Sequence, residues 1–226
     1  VGEIVVSGGV RRSAMISLSN LSDDRMRHAK SGNWWETAGH RALANNSVSY
    51  TEKPDMETFL REWTALVESK SGERGIFNRQ AAQKQATKNN RRDPNWEFGT
   101  NPCSEIILRG PRIDLKTGQP ITGTGGQFCN LSEVVVRATD DIKSLSNKVR
   151  LATIIGTIQS SLTKFPYLRK VWQNNTEEER LLGVSLTGIM DNPLLTAKNK
   201  GLAQTLDHLR HVAVDTNKEW AVRLGV

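Results

Sequence analysis

Short apolar runs alternate with amphipathic segments along this chain, and the alternation reads as strands interleaved with helices. The runs at residues 4–6 and 14–18 predict strands on either side of a Gly-Gly pair. Ser22-Asp23-Asp24 is a helix-start signal and Gly32 a stop. Asp55 follows Pro54 and caps a predicted helix running to Lys70, with Met56, Phe59, Leu60, Trp63 and Leu66 at helical spacing. A second helix is predicted over 78–88, a polar loop over 89–100 and an extended segment over 101–108. Thr117-Gly118-Gln119-Pro120 reads as a turn. Beyond it, the pattern predicts a strand at 131–136, a long apolar-faced helix at 142–162, a buried strand at 181–186 and a helix at 202–224. Strands and helices in alternation place the chain in the α/β class. No internal repeat or low-complexity segment is visible.

Composition narrows the partners. Lys and Arg number 31 against 24 Asp and Glu, a net charge of +7 over 226 residues, which suits anionic ligands. Nucleic acid and nucleotide phosphates are both candidate classes. The cations are scattered, with small clusters at Arg11-Arg12 and Arg91-Arg92, and no basic stripe interleaved with aromatics suggests a nucleic-acid partner. Two cysteines in a chain of this size, without zinc-finger spacing, predict a reducing compartment and a cytoplasmic location. No run is long and apolar enough to predict a membrane span, and no secretory signal is visible. The chain opens at Val1 without an initiator methionine, and neither end has the polar composition of a flexible terminus. The expectation is an internal piece of a larger enzyme, or one part of a split one.

Candidate chemistry concentrates at Asn101-Pro102-Cys103-Ser104-Glu105. In an extended segment alternate residues share a face, so Asn101, Cys103 and Glu105 would converge there as an amide, a thiol and a carboxylate. A lone cysteine beside an acid is more often a small hydrophobe next to a solvated charge. The other cysteine stands in Phe128-Cys129-Asn130-Leu131, ahead of the β-rich Ser132-Glu133-Val134-Val135-Val136. The Gly8-Gly9 pair of Ser7-Gly8-Gly9-Val10-Arg11-Arg12 permits a turn and close backbone approach to a ligand, although such a pair is more often an ordinary turn.

Together, the segments around Cys103 and Cys129 resemble the active-site segments of the large, catalytic subunit of ribonucleotide reductases. The stretch from Ser7 to Ala14 resembles that family's specificity loop, which lies between effector nucleotide and substrate base. Its candidate residues here are Ser7, Gly8, Gly9, Arg11 and Arg12. Ala44-Asn45-Asn46-Ser47-Val48, Ser71-Gly72-Glu73-Arg74-Gly75-Ile76-Phe77-Asn78 and Leu182-Gly183-Val184-Ser185-Leu186-Thr187-Gly188 are further matches. The wording is most similar to the adenosylcobalamin-dependent (class II) branch, particularly its monomeric triphosphate reductases. The two cysteines lie 129 − 103 = 26 positions apart, a longer connection than in some cobalamin-dependent relatives.

The resemblance implies a ten-stranded α/β barrel, of which this chain is a central portion, with the Cys103 segment as a finger loop inside it. Residues 1–100 would carry the specificity loop and helices, 101–136 the finger loop and redox-cysteine strand, and 137–226 the start of the second half-barrel. It further implies a thiyl radical at Cys103, Glu105 as general base, Asn101 orienting the substrate sugar, and Cys129 as half of a reducing dithiol. Adenosylcobalamin would generate the radical, and an external dithiol such as thioredoxin would regenerate the thiols; no metal-binding cluster is expected in the chain itself. Partners would be a ribonucleotide substrate, a deoxynucleotide effector, and the remaining N- and C-terminal segments of the enzyme, fused or as separate chains. In the family the second reducing cysteine comes from an earlier strand and a phosphate-binding segment follows later, so this chain alone is expected to be catalytically incomplete. Two alternatives stand beside this reading. One is a class I-type reductase fragment served by a separate radical-generating subunit. The other is an inactive nucleotide-binding module, which would have no need of the thiol.

Overall fold

Two parallel crossovers open the structure, a computed structural model that describes Val5, Ser7, residues 13–90 and residues 92–226. The chain divides into two units, residues 1–126 and 127–226. In the first, β1 (Ile16–Ser19), β2 (Asn45–Tyr50) and β3 (Gly75–Asn78) form a parallel three-stranded sheet in that order. Single-turn helices α1 (Asp24–Arg27) and α2 (Trp34–Thr37), then a 3₁₀ turn at Gly39–Leu43, connect β1 to β2. Helix α3 (Met56–Ser69) connects β2 to β3, and α4 (Arg79–Thr87) follows β3. The predicted caps hold: the Asp55 carboxylate accepts from the Thr58 N–H at 2.8 Å, and Lys70 ends α3 at φ 51°. Asn78 caps α4 through the Ala81 N–H at 2.8 Å.

The motif Glu73-Arg74 fastens this sheet with two ion pairs, one half-buried and one buried. Glu73 takes Lys30 at 2.9 Å and the backbone N–H of Asn46 at 2.7 Å. Arg74 grips Glu62 of α3 with two bonds, 2.7 and 3.0 Å, and reaches the Ser19 hydroxyl at 2.7 Å. Arg27 completes a buried Arg–Glu–Arg triad on Glu62. Burial pushes the Glu62 carboxyl up, but the Arg74 and Arg27 guanidiniums outweigh it and hold the group below the ordinary carboxylate range.

Residues 96–100, predicted as loop, form a strand. β4 (Trp96–Thr100), β5 (Ile107–Ile113) and β6 (Pro120–Ile121) make an antiparallel sheet in that order. Trp96, Phe98 and Thr100 alternate inward while Glu97 and Gly99 are half-buried, so the strand is amphipathic with period two. Phe98 and Trp96 pack with Phe77, Ala82 and Ala86 into the unit's apolar core. The turn predicted at 117–120 lies between β5 and β6, with Gly118 at φ 67°. Of the strand predicted at 4–6, Val5 has 3₁₀ geometry, and Ile4 and Val6 lie outside the described residues.

In the second unit β7 (Cys129–Val135) pairs in parallel with β8 (Leu181–Thr187), from Cys129↔Leu181 to Val135↔Thr187. Helices α5 (Ile142–Ser160) and α6 (Lys170–Glu179) lie in the crossover, and α7 (Leu202–Leu224) follows β8. Val134, Val136, Leu145, Val149, Ala152, Leu195 and Leu209 form the core. Strand β8 is only half-buried along most of its length, not the buried strand its apolar sequence predicts, because helices cover one face of the two-stranded sheet. Gly188 has no substitute in this place: at φ 75°, a Cβ would stand 2.5 Å from the Val136 carbonyl oxygen. The described architecture is thus mixed α/β in three small sheets.

Candidate active site

Strands β4 and β5 pair from Thr100↔Ile107 outward, so residues 101–106 are the loop that closes a hairpin. Of the segment predicted as extended, residues 101–106 are this turn, while Ile107 and Leu108 are extended as the first residues of β5. Ser104 donates its backbone N–H to the Asn101 carbonyl at 2.9 Å, around Pro102 and Cys103. Ser104 itself is left-handed at φ 66°. Proline presets the second position of such a turn, and this local preference outweighs the period-two reading. The Asn101 carboxamide oxygen is drawn into the loop: it accepts from the Ile106 N–H at 3.1 Å and the Thr100 hydroxyl at 3.3 Å. Asn101 therefore shapes the turn with its oxygen. Cys103 and Glu105 are exposed at the tip. The residues that brace the turn, Thr100 and the left-handed Ser104, were missed in the sequence, although a proline two positions before Ser104 is a signal for them.

Cys129 belongs to the second unit, where it is the first residue of β7 and half-buried. Its neighbour Asn130 ties the strand to β8 through the Leu181 carbonyl at 3.1 Å. Phe128 packs against Phe165 and Trp172, with ring centroids at 4.6 and 5.2 Å. Gln127 bonds to the buried Glu179 carboxylate. Val134 and Val136 point toward the helices, so by alternation Cys129, Leu131, Glu133 and Val135 line the opposite, open face of the sheet. The structure therefore places Asn101, Cys103 and Glu105 together on one loop, and Cys129 on a strand of the other unit. Ser7 is an exposed turn residue, and Gly8, Gly9, Arg11 and Arg12 lie outside the described residues. Among the described residues no cluster of His, Cys, Asp and Glu could hold a metal ion, and no helix is long and apolar enough to cross a membrane.

No family model and no solved structure matches the chain. Curated relatives do. An adenosylcobalamin-dependent ribonucleoside-triphosphate reductase of Lacticaseibacillus paracasei is 32% identical over 196 residues, covering 84% of this chain and 23% of that protein. Proteins of the same name from Levilactobacillus brevis and Lactobacillus leichmannii are 27% and 28% identical, covering 88% and 95% of this chain. The chain spans about a quarter of the length of these relatives. In sequence it is related to the catalytic subunit of the ribonucleotide reductases, in its adenosylcobalamin-dependent triphosphate branch.

Proposed function

We propose that this chain supplies part of the active site of a ribonucleotide reductase, converting ribonucleoside triphosphates to 2′-deoxyribonucleotides by radical chemistry at Cys103. The observation that carries the reading is the exposed thiol on a hairpin tip, on the same loop as the exposed Glu105, in a chain that matches these reductases over 84% of its length. Neither the C–H nor the C–OH bonds of ribose are activated, so a radical and a base must act together. A thiyl radical at Cys103 takes the 3′-hydrogen atom, restoring the S–H bond and leaving the radical on C3′. Glu105 takes the 3′-OH proton, which makes the C2′ hydroxyl a better leaving group, and that hydroxyl departs with a proton as water. Asn101, its oxygen committed to the turn, offers its amide N–H₂ to the sugar. Cys129 and a second thiol give two electrons and two protons, one proton leaving in the water and one ending on C2′, and become a disulfide that an external dithiol such as thioredoxin reduces. Glu105 returns its proton to the 3′ oxygen and Cys103 its hydrogen atom to C3′, which restores the thiyl radical.

Adenosylcobalamin, when bound, supplies the acceptor for the thiol hydrogen atom. The exposure of Cys103 at a loop tip fits a bulky acceptor of this kind. In the complete enzyme the strands of both units would join a ten-stranded barrel, with the β4–β5 hairpin as its finger loop. The segment from Ser7 to Arg12 would read the substrate base in response to a deoxynucleotide effector. The chain holds two cysteines, so one radical thiol and one reducing thiol leave the dithiol a partner short. That partner, and the phosphate site, would come from the rest of the enzyme.

The test is deoxyribonucleotide production by the full-length protein with adenosylcobalamin and a dithiol, and no second subunit. Turnover under these conditions is the expected result. Turnover that requires a metal-containing second subunit would assign the chain to the class I type, and none under either condition would overturn the enzymatic reading. The isolated 226-residue chain is expected to show no multiple turnover.

A further inference from the structure

The two faces of the parallel sheet in the first unit carry different features. Leu18 packs toward β4, lying 3.8 Å from where a Gly99 Cβ would be, and it joins the core of Phe98 and Trp96. By alternation Met15 and Ser17 point to the other face, as does Asn46, the register partner of Ser17. On that face, between the sheet, α1 and the 3₁₀ turn at Gly39–Leu43, lies a half-open cleft of about 430 Å³. No residue of the Cys103 hairpin lines it.

The lining has two parts. Met15, Met26 and Ala44 give an apolar floor, and Arg25, His40 and Arg41 give a cationic rim. Arg41 is held in place by its bond to the Ala29 carbonyl at 2.6 Å and keeps other N–H groups for a ligand. Arg25, His40 and Arg41 are all exposed. The carboxylate at the cleft, Asp23, caps α1 through the Met26 N–H at 3.0 Å and, among the described residues, forms no ion pair with Arg25, His40 or Arg41, whose charges outnumber it. Thioether side chains pack well against ring edges and faces, and guanidinium groups match phosphate oxygens in pairs. The volume lies within the range of small-molecule sites, roughly 300–1,000 Å³.

We propose that this cleft binds a nucleoside phosphate of mononucleotide size, with the base on the Met15–Met26 floor and the phosphate on Arg25, His40 and Arg41. The site lies on the far face of the sheet from the β4–β5 hairpin, so it is distinct from the Cys103 chemistry. The proposal does not rest on the reductase reading.

The test is photolabelling of the full-length protein with 8-azido-AMP, with the labelled peptides mapped. Label is expected within residues 13–46. AMP should displace it at a concentration about tenfold or more below that needed with adenosine or inorganic phosphate alone, since floor and rim contribute together. Arg25→Glu, an exposed change, and Ala44→Leu, which fills the floor, should each lower that labelling about tenfold or more. Label absent from 13–46, label that survives either substitution, or displacement by phosphate as readily as by AMP would each overturn the proposal. Deoxyribonucleotide production is not the readout, so failure here leaves the reductase reading standing, and the reverse holds.

Discussion

Cys103 rides on a loop shaped by its own neighbours: Pro102 in the turn, the Asn101 oxygen on the Ile106 N–H, and Ser104 turned left-handed. Cys129 opens a strand whose place depends on residues far along the chain, from the β8 ladder to the aromatic packing of Phe128 on Phe165 and Trp172. One thiol is exposed and positioned locally, while the other is half-buried and positioned by tertiary pairing. Under the proposed mechanism the contrast suits a division of labour. A group that meets a bulky partner and a substrate profits from a projecting tip, whereas a thiol that must meet a second thiol profits from a fixed ladder. It also separates the two experimentally, because changes near Cys103 act on a loop and changes near Cys129 act on a body of structure.

The largest effects are expected from the thiols themselves. In the full-length enzyme, Cys103→Ser should lower deoxyribonucleotide formation by at least about a thousandfold, because a hydroxyl O–H bond is too strong for the radical to form there. Nucleotide binding should remain near normal. Cys129→Ser should also abolish multiple turnover, but release of tritium from the 3′ position of labelled substrate should persist, since the proposed mechanism assigns that step to Cys103. Equal loss of tritium release in both variants would erase the distinction between the two thiols.

Next come the supports of the two units. Glu62→Ala leaves Arg27 and Arg74 buried without their shared carboxylate, which should cost about 3–5 kcal/mol of stability. Gly188→Ala forces a Cβ against the Val136 carbonyl at a positive φ and should cost about 2–4 kcal/mol. Hydrogen exchange resolved by peptide should show Glu62→Ala loosening residues 13–78 and Gly188→Ala loosening β7 and β8. A reversed pattern would mean that the units do not fold as described.

Much of this frame was legible in the sequence, and the failures have physical reasons. Helices α3, α4, α5 and α7 follow from their residue patterns, and α3 also from its Asp55 cap; the Asn78 and Asp141 caps of α4 and α5 emerge only in the structure. Strand β4 was hidden because Trp96 and Phe98 stand alone among polar residues, and alternation over so few positions is a weak signal. Strand β2, with its Asn-Asn-Ser-Val-Ser-Tyr run, looks polar, yet nearly all of it is buried between layers. Helix α6 carries too polar a sequence to show a stripe. At the site, the residue types were legible but their arrangement was not, because the Pro102 turn, braced by the Asn101 side chain, overrode the strand period.

Acid should separate the two units more gently. Glu62 has a folded-state pKa below its ordinary 4.5, so its contribution is present above that value and is lost as pH falls through the lowered one. Asp140 is held down to about 2, first by Lys148 and then by the Arg137 N–H, so its contribution begins to fade below 3.8 and lasts until about 2. On acid titration, the decline in protection is therefore expected to begin below 4.5 for residues 13–78 and only below 3.8 for the α5 N-terminus. Simultaneous loss at both places would mean that neither pair controls its region.

The smallest effect tests the comparison most directly, because it asks whether local strain and tertiary pairing respond with opposite signs. Ser104 sits at φ 66°, a conformation glycine adopts freely and other residues only at some cost. Ser104→Gly removes that cost but adds freedom to the unfolded chain, so stability should rise by no more than about 1 kcal/mol. Turnover should nonetheless fall a few-fold, because the tip that carries Cys103 is less sharply defined. Beside the other thiol, Asn130→Ala deletes the bond to the Leu181 carbonyl and should lower stability by about 0.5–1.5 kcal/mol. Ser104→Val supplies the control, since a β-branched residue at this φ should destabilise where glycine stabilises. If glycine and valine shift the unfolding midpoint in the same direction, the left-handed turn is not what holds Cys103 at the tip.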